Sequence, residues 1–319
     1  MSFSGMVKEE LSRKTDDARH CRLAELCAIL ECTGTMIREG QEPAKLIIRS
    51  ENELVIRKCF TLLEKTFNIV EMTAVDEKGS PARGKVFRAR IQDPGKVKAI
   101  LEGTKLFADG ETGELWPGAN ALIAQRDCCK RAFLRGAFLS SGSISDPNKG
   151  YHLEMVCSAE QKAEQLKNIA RGFSIDAKIV RRKNSHVVYV KEGAQIVDML
   201  ALMGANVALM DLENIRIVKE MRNSVNRKVN CETANINKTV SAAVKQMEDI
   251  RLIRKVMGFQ GLSDSLQEIA VLRLQYPEAT LKELGMMLEP QVGKSGVNHR
   301  LRKLSRIAGQ LRENEEELL

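Results

Sequence analysis

The chain has 319 residues, of which 43% are hydrophobic, 29% charged and only 4% aromatic, and its formal net charge is +8. That length and balance exclude a small stapled scaffold and disorder on a large scale, and predict two or three domains with cores of Leu, Ile, Val, Met and Ala. No apolar run reaches the roughly 18 residues of a membrane span, and MSFSGMVKEELSRK turns charged too soon for a secretory signal, so a cytoplasmic location without a membrane is expected.

The positive excess favours an anionic partner such as nucleic acid. Residues 222–310 hold 15 Lys and Arg against 8 Asp and Glu, the tail from residue 311 has a net charge of −3, and the first 221 residues carry only +4. Charge density is therefore highest in the C-terminal third. The cysteines are Cys21, Cys27, Cys32, Cys59, Cys128, Cys129, Cys157 and Cys231. None forms a CxxC pair or a Cys/His cluster at zinc-like spacing, so all read as buried free thiols, with no metal and no cofactor expected.

In chain order, LAELCAILECTG (23–34) reads as a helix of small and apolar residues ending in glycine, and LRGAFLSSG (134–142) repeats it, with Gly34 and Gly142 108 positions apart. The same offset lays IIRS, ending at Ser50, on MVCS, ending at Ser158. An amphipathic helix follows in both copies, ENELVIRKCFTLLEKTF and AEQKAEQLKNIARGF. Strands KVFRARI (85–91) and SHVVYVK (185–191) come next, then the helices PGKVKAILEGTKLF and EGAQIVDMLALMGA. The expected class is α+β: two α-β-β-α-β-β-α halves, about 1–115 and 120–210, with pseudo-two-fold symmetry in a domain spanning 1–221. Ala24, Ala28 and Cys32 in one opening helix, and Gly136 and Ser140 in the other, recur every four residues and make faces thin enough for close helix approach. Trp116, between the copies, reads as an anchor for the connector.

These opening helices resemble degenerate copies of the LAGLIDADG motif of homing endonucleases, carried here by residues 26–34 and 134–142. The resemblance implies paired motif helices above saddle-shaped sheets, with an acidic metal ligand at the eighth motif position. Thr33 and Ser141 stand there instead. A neutral hydroxyl cannot supply a carboxylate's charge to a divalent ion. Glu31 is off that face and Asp146 lies beyond the helix, so no nuclease activity is expected.

From residue 222 the texture becomes Asn-rich and basic. Residues 222–258 read as a linker followed by a long helix whose buried stripe is Val240, Val244, Met247, Ile250 and Ile253. The opening can serve as turns and caps, or contact phosphates through Asn226, Arg227 and Lys238; the residues leave both readings open. A domain over 259–319 then begins with SDSLQEIAVLRLQYPEA, capped by Ser263 or Ser265 and stopped by Pro277. In ATLKELGMMLEPQVGKSGVNHRLRKLSRIAG, Thr280 and Glu283 form a capping box, Leu281, Leu284 and Leu288 point inward, and Pro290 and Gly293 break the helix. Ser295 can cap a second helix buried along Val297, Leu301, Leu304 and Ala308. Two short helices, a compact turn and a basic second helix form a helix-turn-helix over about 280–310.

At about 100° per residue the opposite face of that second helix holds Ser295, His299, Arg302 and Arg306, with Asn298 and Lys303 beside it. Arg can pair with guanine and Asn with adenine, while Lys294 and the first-turn amides can take phosphate. His299 has no second ligand near it in sequence, and reads as a polar DNA contact.

Taken together, the degenerate duplication, NRKVNCETANINK, EIAVLRLQYPEATLKELG and GKSGVNHRLRKLSRIAG closely resemble the WhiA family of bacterial DNA-binding regulators over essentially the whole chain. The resemblance implies a sequence-specific transcription factor without enzymatic activity, on promoter DNA that includes its own, at the nucleoid. It further implies sporulation in filamentous actinobacteria, or cell division and chromosome segregation in other Gram-positive bacteria. A monomer is expected, with protein partners taken through the N-terminal domain. A protein-binding adaptor on DNA and an active endonuclease are the competing readings.

Overall fold

The computed structural model describes residues 2–39, 42–70, 73–77, 86–108, 112–117 and 122–316. The chain divides into two units, Met1–Lys219 and Glu220–Leu319.

In the first unit the earlier half runs α2 (Arg19–Thr33), β1 (Gly34–Glu39), β2 (Glu42–Ser50), α3 (Glu53–Phe67), β3 (Thr73–Glu77), β4 (Val86–Ile91) and α4 (Pro94–Thr104). The later half repeats the order as α5 (Asp127–Ser141), β7 (Gly142–Ile144), β8 (Leu153–Cys157), α6 (Glu160–Arg171), β9 (Lys178–Arg182), β10 (Ser185–Val190) and α7 (Gly193–Met203). Between them lie a hairpin, β5 (Leu106–Ala108) and β6 (Leu115–Pro117), and a 3₁₀ turn at Leu122–Ala124. The sheets have matching antiparallel orders, β1-β2-β4-β3 and β7-β8-β10-β9. The duplicated α-β-β-α-β-β-α halves expected from the 108-residue offset are thus present.

Local chemistry accounts for the helix ends. Asn52 accepts from the Leu54 amide at 3.0 Å to open α3, and Asp93 accepts from Lys96 at 3.1 Å to open α4 with Pro94 in its first turn. A first helix, α1 (Phe3–Arg13), was not anticipated; Ser2 caps it, and Phe3, Val7 and Leu11 bury one side at a spacing of four.

The motif helices α2 and α5 form the centre of this unit, with Leu26, Ile29, Leu30, Phe133, Leu134 and Phe138 almost wholly buried. Their approach requires glycine at 136, because a β-carbon there would lie 2.4 Å from the Glu25 carbonyl oxygen. Next to that crossing a buried ion cluster joins four elements. Arg135 Nε and Nη2 donate to Glu25 at 3.0 and 3.1 Å, and Nη1 donates to the Met203 carbonyl at 3.2 Å. Lys58 Nζ lies 3.1 Å from Glu25, and Asp16 pairs with Arg135 from the loop before α2.

Three expectations need correction. Not all thiols are buried: Cys32 lies in the last turn of α2, Cys128 in the first turn of α5 and Cys231 in the middle of a solvated helix, and all three are exposed. The linker is absent, because α8 (Asn206–Val256) is one continuous helix of 51 residues. With no Gly or Pro from 206 to 257, the asparagines had nothing to break it. The stripe on α8 is also only partly buried: Val240 is 55% and Val244 43% exposed, whereas Ile250 and Ile253 are fully covered. The core of the second unit reaches only the last turns of α8.

That core joins Ile250 and Ile253 to α9 (Asp264–Gln275), α10 (Leu281–Met286) and α11 (Lys294–Glu316). Among the described residues, no helix is long and apolar enough to cross a membrane.

Candidate nucleic-acid interface

The second unit builds its exposed basic face from the inside out. Ser263 begins α9 as its cap residue, though its hydroxyl makes no capping bond and lies 3.5 Å from that of Ser265. The capping box at the start of α10 is complete, with Glu283 N donating to Thr280 Oγ1 at 3.3 Å and Thr280 N to Glu283 Oε2 at 2.7 Å. Arg273, buried at the end of α9, fixes the turn that follows by donating to the Ala279 carbonyl at 2.7 Å. At the turn into α11, Val292 N donates to the Gly285 carbonyl at 2.9 Å, and a β-carbon on Gly285 would meet the Val292 oxygen at 2.1 Å. Gly285→Ala therefore forces the turn open, and about 1–3 kcal/mol of lost stability is expected in thermal melts of the full chain; an unchanged melting temperature would contradict the tight packing.

Along α11, Val297, Leu301, Leu304 and Ala308 are at most 1% exposed, as their spacing predicts. Lys294, Ser295, His299, Arg302, Lys303 and Arg306 are exposed and Asn298 is half-buried. At about 100° per residue Ser295, His299, Arg302 and Arg306 lie opposite the stripe, Asn298 and Lys303 flank that face on either side, and Lys294 is about 60° around the axis from Val297. One detail differs: the helix begins at Lys294, with Val297 N donating to the Gly293 carbonyl at 3.1 Å, so Ser295 lies inside the first turn instead of capping it. Arg312 is excluded from that surface role because it pairs with the buried Asp249 at 2.7 Å and ties α11 to α8.

Of the three residues considered for phosphate contact, the structure brings one to this face. Lys238 lines a groove of about 910 Å³ together with Lys282, Lys294 and Asn298. Asn226 and Arg227 are exposed further back on α8, with Arg227 about 17 Å from Lys238 along the helix axis. Lys282 was missed, because it sits in the capping sequence of α10 and nothing local distinguishes it from an ordinary solvated lysine.

Among the described residues, the ends of the motif helices in the first unit hold no pair of carboxylates. Thr33 Oγ1 donates to the Ile29 carbonyl at 2.7 Å and Ser141 Oγ to the Ala137 carbonyl at 3.1 Å, so both hydroxyls bond back into their own helices. Asp146 is exposed beyond α5 and accepts from Asn148 N at 2.9 Å. Between the helix ends lies a small cavity of about 70 Å³ lined by Glu31, Cys32, Ser141, Ser158 and Lys162 among others. Lys162, on α6, carries no motif that marks it in the sequence and is only 5% exposed. Its ammonium donates to the Glu31 carbonyl at 2.9 Å and lies 4.8 Å over the Trp116 ring. Trp116 thereby holds the connector against the second half, as an anchor should.

Burial pushes the Glu31 carboxyl up to about 7, while a hydrogen bond from the Cys27 thiol and the charge of Lys162 pull it back down. Its folded value is thus raised above the ordinary carboxylate range, and the folded protein holds an extra proton through that interval. The associated stability is full below about pH 4.5 and is lost as pH rises through about 7. Glu31→Gln should remove this dependence, gaining roughly 3 kcal/mol over the native chain between pH 4.5 and 8. Urea titrations of both proteins across that range provide the check, and parallel pH profiles would refute it.

A duplicated, carboxylate-poor LAGLIDADG-like unit followed by a helix-turn-helix defines a class of protein with a nuclease-type fold and a nucleic-acid-binding type of C-terminal module. Residues 19–107 match the WhiA N-terminal LAGLIDADG-like domain, 130–222 the WhiA LAGLIDADG-like domain and 225–308 the WhiA C-terminal HTH domain. The chain belongs to the WhiA family. It is 51% identical over 313 residues to a probable cell division protein WhiA of Lachnoclostridium phytofermentans, covering 98% of this chain and 100% of that one. It is 50% identical over 315 residues to the protein of the same name from Lachnospira eligens, covering 98% of each. The crystal structure of full-length DUF199/WhiA from Thermatoga maritima shares the fold, with a TM-score of 0.60, 23% identity, and coverage of 97% of this chain and 99% of that one.

Proposed function

We propose that this protein is a sequence-specific DNA-binding transcriptional regulator without nuclease activity, acting in cell division and chromosome segregation. The observation that carries the reading is the division of α11 into a buried apolar stripe and an outward side bearing Asn298, His299, Arg302, Lys303 and Arg306. Such a helix offers a major groove the donors that distinguish guanine and adenine, while Lys294 and Lys238 are placed to neutralise phosphates. The helix-turn-helix over about 280–310, within 259–319, is the DNA-reading part, and promoter sites, its own among them, are the ligand. The names of its relatives, probable cell division protein WhiA, support the cellular role.

Two features support the absence of cleavage. Both motif hydroxyls are engaged by their own helices, and a buried lysine lies where a hydrolytic site would need a cation-binding carboxylate pair. With only +4 over residues 1–221, the N-terminal region contributes little to DNA affinity and is free to take a protein partner. A chromatin-binding map of the native protein beside the Arg302→Ala/Arg306→Ala variant tests the reading. Loss of promoter peaks in the variant is expected, and retention of both peaks and function would favour the adaptor instead.

A further inference from the structure

At the other end of the paired motif helices from Lys162, the duplication assembles a constellation that local spacing conceals. His20 and Cys21 open α2; Cys128 and Cys129 open α5. The offset of 108 that relates Gly34 to Gly142 also places His20 on Cys128 and Cys21 on Cys129. Each half thus contributes an adjacent pair at the same point of its helix, and the pseudo-two-fold packing of α2 on α5 brings the pairs together. One ligand atom from each of the four residues lies within 4.8 Å of all the others. His20 Nδ1 is 3.2 Å from Cys129 Sγ, 3.3 Å from Cys21 Sγ and 4.0 Å from Cys128 Sγ.

A tetrahedral zinc ion with Zn–S near 2.3 Å and Zn–N near 2.0–2.1 Å keeps its ligand atoms about 3.5–3.8 Å apart, the edge of the tetrahedron. The distances from His20 bracket that edge, so small side-chain rotations suffice. We propose that His20, Cys21, Cys128 and Cys129 form a structural Cys₃His zinc site that fastens the N-terminal ends of the two motif helices. Three thiolates and an imidazole select a borderline-soft tetrahedral cation over the hard oxygen-seeking ions, and four protein ligands leave no open position for catalysis. Loading releases three thiol protons, and the resulting centre carries one net negative charge. Cations flank it on both sides: Arg131 and Lys14 line the opening shared by Cys21 and Cys128, and Arg126 and Lys105 that shared by His20 and Cys129. The second opening, of about 390 Å³, gives an ion a route in.

The test uses the full chain purified under reducing conditions. Metal analysis should find one zinc per chain, and cobalt added to the apoprotein should give the thiolate charge-transfer and intense visible bands of a tetrahedral site, bleached by zinc. Cys128→Ser, at an exposed position, and His20→Gln should each weaken zinc binding by at least about tenfold, since loss of a group that merely hydrogen-bonds to a ligand already costs 10–100-fold. Cys231→Ser should leave it unchanged. Because Cys128 is exposed, its variant folds without core disruption, and the native chain alone should gain in melting temperature on adding zinc. Sub-stoichiometric zinc with no cobalt spectrum, equal binding by Cys128→Ser, or a disulfide among these cysteines in freshly isolated protein would each overturn the proposal.

Discussion

Arg135→Met should destabilise the first unit by about 3–5 kcal/mol, because it removes one partner from a buried ion cluster and leaves the other charged. Glu25 is wholly buried and receives two hydrogen bonds from the Arg135 guanidinium, at 3.0 and 3.1 Å. Without them Lys58 is the cation left beside it among the described residues, and burial already pulls that ammonium below its ordinary value, against the opposing pull of Glu25. Hydrophobic packing by methionine cannot repay a desolvated carboxylate. The double variant Glu25→Gln/Arg135→Met should recover part of the loss, since the uncompensated charge has gone. Trp116, the sole tryptophan, lies in the first unit, so its fluorescence in a urea titration reads this unit directly. A loss below about 1 kcal/mol for the single variant would show that Glu25 finds water or another partner.

On DNA, the Arg302→Ala/Arg306→Ala variant should lose about 2–6 kcal/mol of specific binding, at 1–3 kcal/mol per base pairing, or roughly thirtyfold at the least. Both side chains are exposed opposite the buried stripe, so the melting temperature should stay unchanged. Lys294→Ala provides the contrast. Removing a phosphate-binding charge there weakens all sequences alike and lowers the salt slope by about one, without changing the preference among promoters. Fluorescence anisotropy with a promoter duplex and a scrambled duplex separates the two effects. Equal affinity of the double variant and the native protein for the promoter would exclude α11 as the reading helix.

The two halves were legible because the duplication wrote the same pattern twice, so Gly34 and Gly142 aligned the elements between them even where each strand signal was weak. The helix-turn-helix was legible because Thr280, Glu283 and the stripe from Val297 to Ala308 act locally. Periodicity failed on α8 for a definite reason. The residues assigned to one stripe drift around the helix: at about 100° per residue Val240 lies about 80° and Val244 about 120° from Ile250, so the two valines stay exposed while Ile250 and Ile253 are covered. Asparagine content misled in a similar way, since a modest helix penalty per residue does not break a helix that lacks Gly and Pro. The pairing of Arg135 with Glu25, and the position of Lys162 beneath Trp116, bring together residues far apart in sequence, and no local spacing rule reaches them.

Lys162 gives the C-terminal ends of the motif helices an independence that an ion-loaded centre lacks. A bound cation is exchangeable, and its occupancy follows the supply of metal and the presence of chelators. An ammonium held by its own backbone is present at fixed stoichiometry in every folded copy. The charge between the motif helix ends is thus inherited with the sequence, and a reaction centre's location becomes a keystone whose strength does not vary with the magnesium in the cell.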